Sequence, residues 1–139
     1  MHNAIQNIHF SSLDFRNFNI NNFTDSNDFL YVDPPYLISY AKYIKGSRIT
    51  NNRWEQSDDI DLYNFLDHAN DLGLKWALSN VLSHKGIENV TLIEWAEKYN
   101  IYDIFSNYSH STYSKTKSTE PTIEVLVTNY DKDKINTIK

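Results

Sequence analysis

Short apolar runs separated by polar stretches predict a series of strands along the chain. The clearest runs contain aromatic and β-branched residues and lie at 29–32, 74–80, 101–105 and 122–128. Largely continuous apolar runs of this length are typical of strands buried on both faces of a sheet. A weaker alternation at 5–10 predicts one further, short strand.

Two helices are predicted between these strands. Ser57 is expected to begin the first, since its hydroxyl can accept a hydrogen bond from a free backbone N–H, and Gly73 is expected to end it. Thr91 is expected to begin the second, which ends near residue 100. The predicted buried positions are Ile60, Tyr63, Leu66 and Ala69 in the first helix and Leu92, Trp95 and Ala96 in the second. The polar stretch 17–28 predicts a loop or irregular helix.

The order of these elements predicts an α/β fold. Strands alternate with helices until a final loop and strand, which is the pattern of half a doubly wound sheet with flanking helices. We expect residues 1–139 to form a single domain. In such sheets ligands bind beside the carboxyl ends of the strands, and residues 33–36 follow the strand at 29–32.

The charge pattern qualifies this picture. The formal net charge is −5, which argues against a nucleic-acid partner. However, two stretches, 34–54 and 104–119, contain basic residues and no acidic ones. Local positive charge can steer a nucleic acid towards one face, although ordinary solvated surface would give the same pattern. The candidates for contact with phosphate are Lys42, Arg48, Arg53, Lys115 and Lys117.

Composition narrows the class of protein and the kinds of site. Cysteine is absent, which excludes disulfides and cysteine-based zinc sites, and the five histidines show no metal-ligand spacing. No apolar run is long enough to cross a membrane, and the first residues do not resemble a signal peptide, so we expect a cytoplasmic protein with no membrane partner. The three scattered glycines cannot build a glycine-rich turn around a cofactor.

The sequence Asp33-Pro34-Pro35-Tyr36 is the strongest candidate for chemistry. An exocyclic amine such as adenine N6 is a poor nucleophile, because its lone pair is delocalised into the ring. A carboxylate and a rigidly held backbone carbonyl can accept hydrogen bonds from both amine protons and so free the lone pair. Proline fixes the backbone, and the tyrosine ring can stack on a base that has left the duplex. A simple turn at the end of a strand is the alternative interpretation.

The residues 29–36, FLYVDPPY, resemble the catalytic motif of the Dam-like, D12-class adenine-N6 DNA methyltransferases. The resemblance continues through KWALSN at 75–80 and the stretch 107–130, and it covers roughly residues 5–130. It is nearest to GATC-type modification methylases. It implies a Rossmann-like methyltransferase sheet that uses S-adenosylmethionine (SAM) as methyl donor, no metal, and double-stranded DNA with a flipped adenine as substrate.

The resemblance also implies roles for individual residues. Asp33, Pro34, Pro35 and Tyr36 take the family's catalytic positions, and Asp33 lies close to the methyl group of SAM. Upstream, the pair Asp14 and Phe15 resembles the acidic and aromatic residues that help to hold the adenosine end of SAM. Tyr40, Tyr43, Tyr108 and Tyr113 are possible DNA contacts. Asn80 is expected either to line the pocket or to cap a turn at the end of its strand.

One part of the family's pattern is missing from these residues. The FxGxG loop, which surrounds the methionine part of SAM, and most of the target-recognition region are not found in the sequence. This absence is compatible with a gene fragment, with a split enzyme that needs a complementing amino-terminal chain carrying the FxGxG loop, or with a degenerate remnant, and we expect the 29–32 strand to have an exposed edge. Methylation of an RNA adenine and a non-catalytic remnant or interaction subunit are the alternative hypotheses.

Overall fold

A computed structural model describes residues 8–23, 25, 27–38, 54–104 and 121–131. Two 3-10 turns precede five strands and two helices. The 3-10 turns are Phe15–Asn17 and Ile20–Asn22, and the remaining elements are β1 (Phe29–Val32), α1 (Gln56–Asp71), β2 (Lys75–His84), β3 (Ile87–Glu88), α2 (Val90–Ala96), β4 (Asn100–Ile104) and β5 (Ile123–Thr128).

The sheet is mixed and has the strand order β1-β2-β5-β4. β1 runs parallel to β2, whereas β5 lies antiparallel between β2 and β4. The short β3 pairs antiparallel with the end of β2. The predicted α/β class with flanking helices is confirmed, but the last strand inserts into the sheet in the opposite direction instead of extending a parallel series.

One hydrophobic core joins both helices to one face of the sheet. Trp76 and Leu78 on β2 alternate towards this face, and they pack with buried apolar residues of both helices and of β5. The Trp76 ring lies 5.7 Å from the Trp95 ring and 4.7 Å from the Tyr99 ring, measured between centroids. This core fixes the position of β2, which in turn supports β1.

Helix α1 begins two residues earlier than predicted. Glu55 is its N-cap, and it forms a reciprocal capping box with Asp58, so the prediction of Ser57 as the cap was wrong. The predicted end is confirmed, because Gly73 has φ +77° and Leu74 N–H donates to the Ala69 carbonyl at 3.0 Å.

Two further details of the helices differ from the predictions. Ile60 is 45% exposed, since it lies off the buried face formed by its helix. Helix α2 is capped by Asn89, whose side chain accepts from Leu92 N–H, and not by Thr91. In both helices the cap that forms precedes the expected one by two residues.

β1 is the edge strand of the part of the sheet that the structure describes. It pairs with β2 alone, and its side chains alternate between half-buried and exposed, with Phe29 50% and Tyr31 63% exposed. The exposed edge is therefore confirmed within these residues, but burial of the strand on both faces was wrong. Residues 8–10 form no strand, so the prediction at 5–10 is wrong for the part that can be seen.

The segment 8–23 is tied to helix α1 by one arginine. The Arg16 guanidinium donates to Asp61 Oδ2 at 2.8 Å and to Asp58 Oδ1 at 2.6 Å. Both acids stand on the first turns of α1, so the ion pairs hold the irregular segment against the helix. None of the helices formed by the described residues has the length and apolarity required to cross a bilayer.

Candidate active site

The Asp33 carboxylate lies directly after β1 and is held through one of its two oxygens. Asp33 Oδ1 accepts hydrogen bonds from the Ser79 hydroxyl at 2.8 Å and from the Tyr36 hydroxyl at 3.1 Å. Among the residues that the structure describes, no donor reaches Asp33 Oδ2. Asp33 is exposed, so its second oxygen is available to a ligand.

Tyr36 is placed over the carboxylate by the two prolines that follow Asp33. Because each proline ring restricts the backbone, the chain turns and brings the tyrosine hydroxyl back to the residue three positions earlier. Burial of the half-buried hydroxyl, together with the negative charge of Asp33, raises the pKa of Tyr36 above its ordinary value. The hydroxyl therefore stays protonated at neutral pH and remains a donor to Asp33.

A cavity of about 500 Å³ lies next to this carboxylate. Its walls are mostly apolar and aromatic, with the Asp14 and Asp33 carboxyl groups among its lining. The lining residues are Ser11, Leu13, Asp14, Phe15, Phe18, Leu30, Tyr31, Val32, Asp33, Pro34, Trp54, Leu62 and Phe65. This size and composition are typical of a site for a small organic ligand.

The structure brings together four of the residues singled out in the sequence. Asp14, Phe15, Asp33 and Pro34 all line the cavity, whereas Pro35 and Tyr36 do not. This arrangement joins two chain segments that are separated by the whole of the 17–28 stretch. The cavity therefore connects the predicted cofactor residues with the predicted catalytic ones.

The Phe15 wall of the cavity is fixed by its neighbours. The Phe15 ring lies 6.0 Å from the Trp54 ring and 5.9 Å from the Phe65 ring, between centroids. Asp14 begins the 3-10 turn that carries Phe15, since its Oδ1 accepts from Arg16 N–H at 2.9 Å. Arg16 also pairs with Asp14 Oδ2 at 3.1 Å, so its contacts with α1 orient this carboxylate as well.

Some of the candidate site residues from the sequence lie outside the part of the chain that the structure describes. The five basic candidates, Lys42, Arg48, Arg53, Lys115 and Lys117, lie outside the described residues, as do Tyr40, Tyr43, Tyr108 and Tyr113. Asn80 lies inside β2 and is buried, with its Oδ1 accepting from Val81 N–H, so it does not cap a turn at the end of its strand, and it is not among the residues that line the cavity described above. Within the described ranges no cluster of three or more metal-ligating side chains occurs.

Sequence reasoning did not identify Ser79 or the aromatic walls of the cavity. Ser79 is buried, and its one sequence signal is a small hydroxyl within an otherwise apolar strand. Trp54 and Phe65 come from the start and middle of a segment remote from Asp33. Their approach to the site depends on how α1 packs on the sheet, which no local pattern reports.

Comparison with known proteins gives a consistent result. The family described as D12 class N6 adenine-specific DNA methyltransferase matches residues 1–131. The chain is 44% identical over 125 residues to the type II methyltransferase M.FokI of Planomicrobium okeanokoites, covering 90% of this chain and 19% of that protein.

Two further relatives are modification methylases. The chain is 41% identical over 125 residues to the modification methylase StsI of Streptococcus sanguinis, covering 88% of this chain and 18% of the relative. It is 35% identical over 113 residues to the modification methylase LlaI of Lactococcus lactis subsp. lactis, covering 81% and 17%. The chain thus spans less than one fifth of the length of each of these three relatives.

Proposed function

We propose that the chain supplies the amine-binding part of an enzyme that methylates adenine N6 in DNA. The chain belongs to the D12 class of N6 adenine-specific DNA methyltransferases, and the proposal proceeds from that membership. The modification methylases among its relatives favour a role in a restriction–modification system. The observation that carries the proposal is the Asp33 carboxylate, with one oxygen fixed and the other open, beside a cavity of nucleoside size.

In this proposal Asp33 activates the amine by accepting one of its protons in a hydrogen bond through Oδ2. A backbone carbonyl of the proline turn accepts from the second proton, which favours a tetrahedral nitrogen and localises its lone pair. When bound, SAM would supply an electrophilic methyl group on a sulfonium. The amine nitrogen would gain the methyl group as the carbon–sulfur bond breaks, the sulfur would leave as a neutral thioether, and the amine proton held by Asp33 would pass to water. The main contribution of the protein is then to hold the amine in line for this displacement.

The cavity fits the adenosine half of SAM. Phe15 offers an aromatic wall, and Asp14 carries carboxylate oxygens that can accept from ribose hydroxyls. The methionine half has no corresponding glycine-rich loop in this sequence. We therefore assign Asp14, Phe15 and Asp33 to SAM binding and leave the methionine half to another polypeptide segment.

The proposed DNA substrate must present its adenine outside the duplex, since N6 cannot reach Asp33 while the base is stacked. Tyr36 is suited to receive the flipped base, because its ring stands next to the carboxylate and stacking on an aromatic ring contributes about 1–3 kcal/mol. Lys42, Arg48, Arg53, Lys115 and Lys117 are the proposed phosphate contacts. A cytoplasmic location follows from this proposal, because both SAM and DNA occur there in bacteria.

A complementing amino-terminal polypeptide completes the proposed enzyme. The observation that supports it is the edge position of β1 within the described residues, at which Phe29 and Tyr31 are exposed. An added strand beside β1 would pair the free backbone groups and cover these rings. This segment would carry the FxGxG loop close to Asp33.

The test is complementation. The 139-residue chain is co-expressed with an M.FokI polypeptide from which the 125 matched residues have been removed, and transfer of radiolabelled methyl from SAM to DNA is measured. We expect transfer by this complemented assembly and by neither part alone. Asp33→Ala should lower the rate by on the order of 100-fold or more, and Asp103→Ala, which removes an exposed carboxylate on β4, should leave it unchanged.

An unchanged rate in the Asp33→Ala assembly would contradict the assignment of the amine-binding role. Adding competing RNA in the same assay separates the substrates. If RNA is methylated in preference to DNA, the reaction class stands and the DNA substrate is wrong.

A further inference from the structure

The Ser79 hydroxyl is the buried donor to the candidate catalytic carboxylate. Ser79 is 5% exposed and lies on the central strand β2, beside the residue that follows β1, because Val32 is in register with Leu78. Its Oγ is 2.8 Å from Asp33 Oδ1 and 3.5 Å from the Val32 carbonyl oxygen. The hydroxyl has one proton to donate. The Tyr36 hydroxyl also lies beside Ser79, but Tyr36 donates to Asp33 itself, and the charged carboxylate at 2.8 Å is the stronger acceptor, so we assign the Ser79 proton to Asp33.

We propose that Ser79 is a positioning residue that fixes the Asp33 carboxylate with Oδ2 directed towards the amine. This inference rests on the proposed function and deepens it. Rotation of the carboxylate about its Cβ–Cγ bond exchanges the two oxygens. On the way it turns both oxygens away from the position of the amine proton that one of them must accept. The hydrogen bond to Oδ1 opposes that rotation, and none of the described residues donates to the other oxygen.

Tyr36 cannot replace Ser79 in this role, although it donates to the same oxygen. Its hydroxyl belongs to the turn that follows the prolines, and its ring is the proposed surface for the flipped base, so base binding acts directly on it. Ser79 stands on a strand that is hydrogen-bonded on both sides, to β1 and to β5. The serine is therefore the donor whose position does not depend on substrate.

A purely structural role for Ser79 predicts a different outcome from a positioning role. Asp33 is exposed, so water can replace the lost donor, and removal of the hydroxyl leaves no buried charge without a partner. We therefore expect stability to change little in Ser79→Ala. A residue that only completes the packing of β2 would instead lower stability and leave the turnover of the folded fraction intact.

The experiment measures kcat, KM and thermal unfolding in the complemented assembly. For Ser79→Ala we expect kcat to fall about 10- to 100-fold, as for a small misplacement of a reacting group, with KM for SAM and DNA within about twofold of the original. Ser79→Thr keeps the hydroxyl and should recover most of kcat. Ser83→Ala removes a serine hydroxyl from the same strand and should change neither value.

Two outcomes would overturn the proposal. The first is an unchanged kcat in Ser79→Ala. The second is an equal loss in the Ala and Thr variants with a lower unfolding temperature, which indicates packing. If Ser79→Ala does not fold, Ser79→Cys, with similar size and a weaker donor, takes its place with the same expected fall in kcat.

The Asp33→Ala assembly distinguishes failure of this inference from failure of the proposed function. If Asp33→Ala abolishes methyl transfer while Ser79→Ala does not alter it, the positioning role alone is wrong. If the original assembly transfers no methyl group, the proposed function is wrong, and the positioning role that rests on it is wrong as well.

Discussion

Asp67 on helix α1 connects the two helices through a single carboxylate. Its Oδ1 accepts from Tyr99 Oη at 2.6 Å and from Trp95 Nε1 at 3.0 Å, and its Oδ2 pairs with Lys98 Nζ at 2.7 Å. All three donors come from α2 or the turn after it. We therefore expect Asp67→Ala to remove these contacts between the two helices and to destabilise the core that both helices share.

The magnitude of this loss follows from the exposure of the groups. Trp95 and Tyr99 are half-buried, so water replaces their lost acceptor only in part, and each hydrogen bond contributes about 1–1.5 kcal/mol. Lys98 and Asp67 are 51% and 31% exposed, so their ion pair contributes at most about 1 kcal/mol. The expected decrease in the free energy of unfolding is therefore about 2–4 kcal/mol.

Urea unfolding of the chain, followed by tryptophan fluorescence, measures this decrease. With a slope of about 2 kcal/mol per molar urea, the midpoint should fall by about 1–2 M. Asn64→Ala, at an exposed position of the same helix, controls for the change in helix propensity. Alanine has the higher helix propensity, so Asn64→Ala should leave the midpoint unchanged or raise it slightly. The same result for Asp67→Ala would refute the reasoning, because water would then satisfy both aromatic donors fully.

The same carboxylate gives the expected dependence on pH. Burial raises the pKa of Asp67, but the hydrogen bonds from Lys98, Tyr99 and Trp95 outweigh it, so the pKa lies below its ordinary value of 3.8. A lowered pKa in the folded state stabilises the protein above the pKa of the unfolded state, and the stabilisation is lost as pH falls through the folded value. The difference between Asp67→Ala and the original chain should therefore be constant near pH 7 and shrink below about pH 4.

Two further predictions concern α1. Asp59 is buried, with its Oδ1 accepting from Trp54 Nε1 at 2.7 Å, and burial raises its pKa. The folded state therefore gains stability as pH falls through that raised pKa towards 3.8. Asp59→Asn should stabilise the chain by about 1 kcal/mol at pH 8 in urea unfolding, and this gain should shrink towards pH 4. A gain that does not depend on pH would contradict the raised pKa of Asp59. At Gly73, φ is +77° and an added Cβ meets nothing within 4 Å. Gly73→Ala should therefore lower the free energy of unfolding by about 1–2 kcal/mol, and Gly73→Asn should lower it less. Equal losses of stability for the two variants in thermal unfolding would indicate steric contact instead.

The sequence predicted the elements of this fold better than their ends. Every predicted strand with a continuous apolar run is present, because runs of aromatic and β-branched residues favour strands even where, as in β1, one face stays exposed. The helix caps at Glu55 and Asn89 were missed, since a serine or threonine two residues later offers an equally good local cap. Which candidate forms the cap depends on where the helix packs, and packing is not a local property.

The sheet order and the full site could not be read from local patterns. Insertion of β5 between β2 and β4 depends on pairings between segments far apart in sequence. The Asp33 motif was identified because its chemistry is concentrated in four consecutive residues. Ser79 and Trp54 reach the same place only through the parallel pairing of β1 with β2 and the packing of α1.

The position of β5 between β2 and β4 means that this part of the sheet can form only late in synthesis of the chain. β4 ends at Ile104, and the one strand that joins it to the described sheet begins at Ile123. At a synthesis rate of 5–20 residues per second, the ribosome needs roughly 1–4 s to make the stretch between them. During that interval β4 presents unpaired backbone groups, so slower translation prolongs the period in which a nascent chain is open to aggregation or chaperone binding.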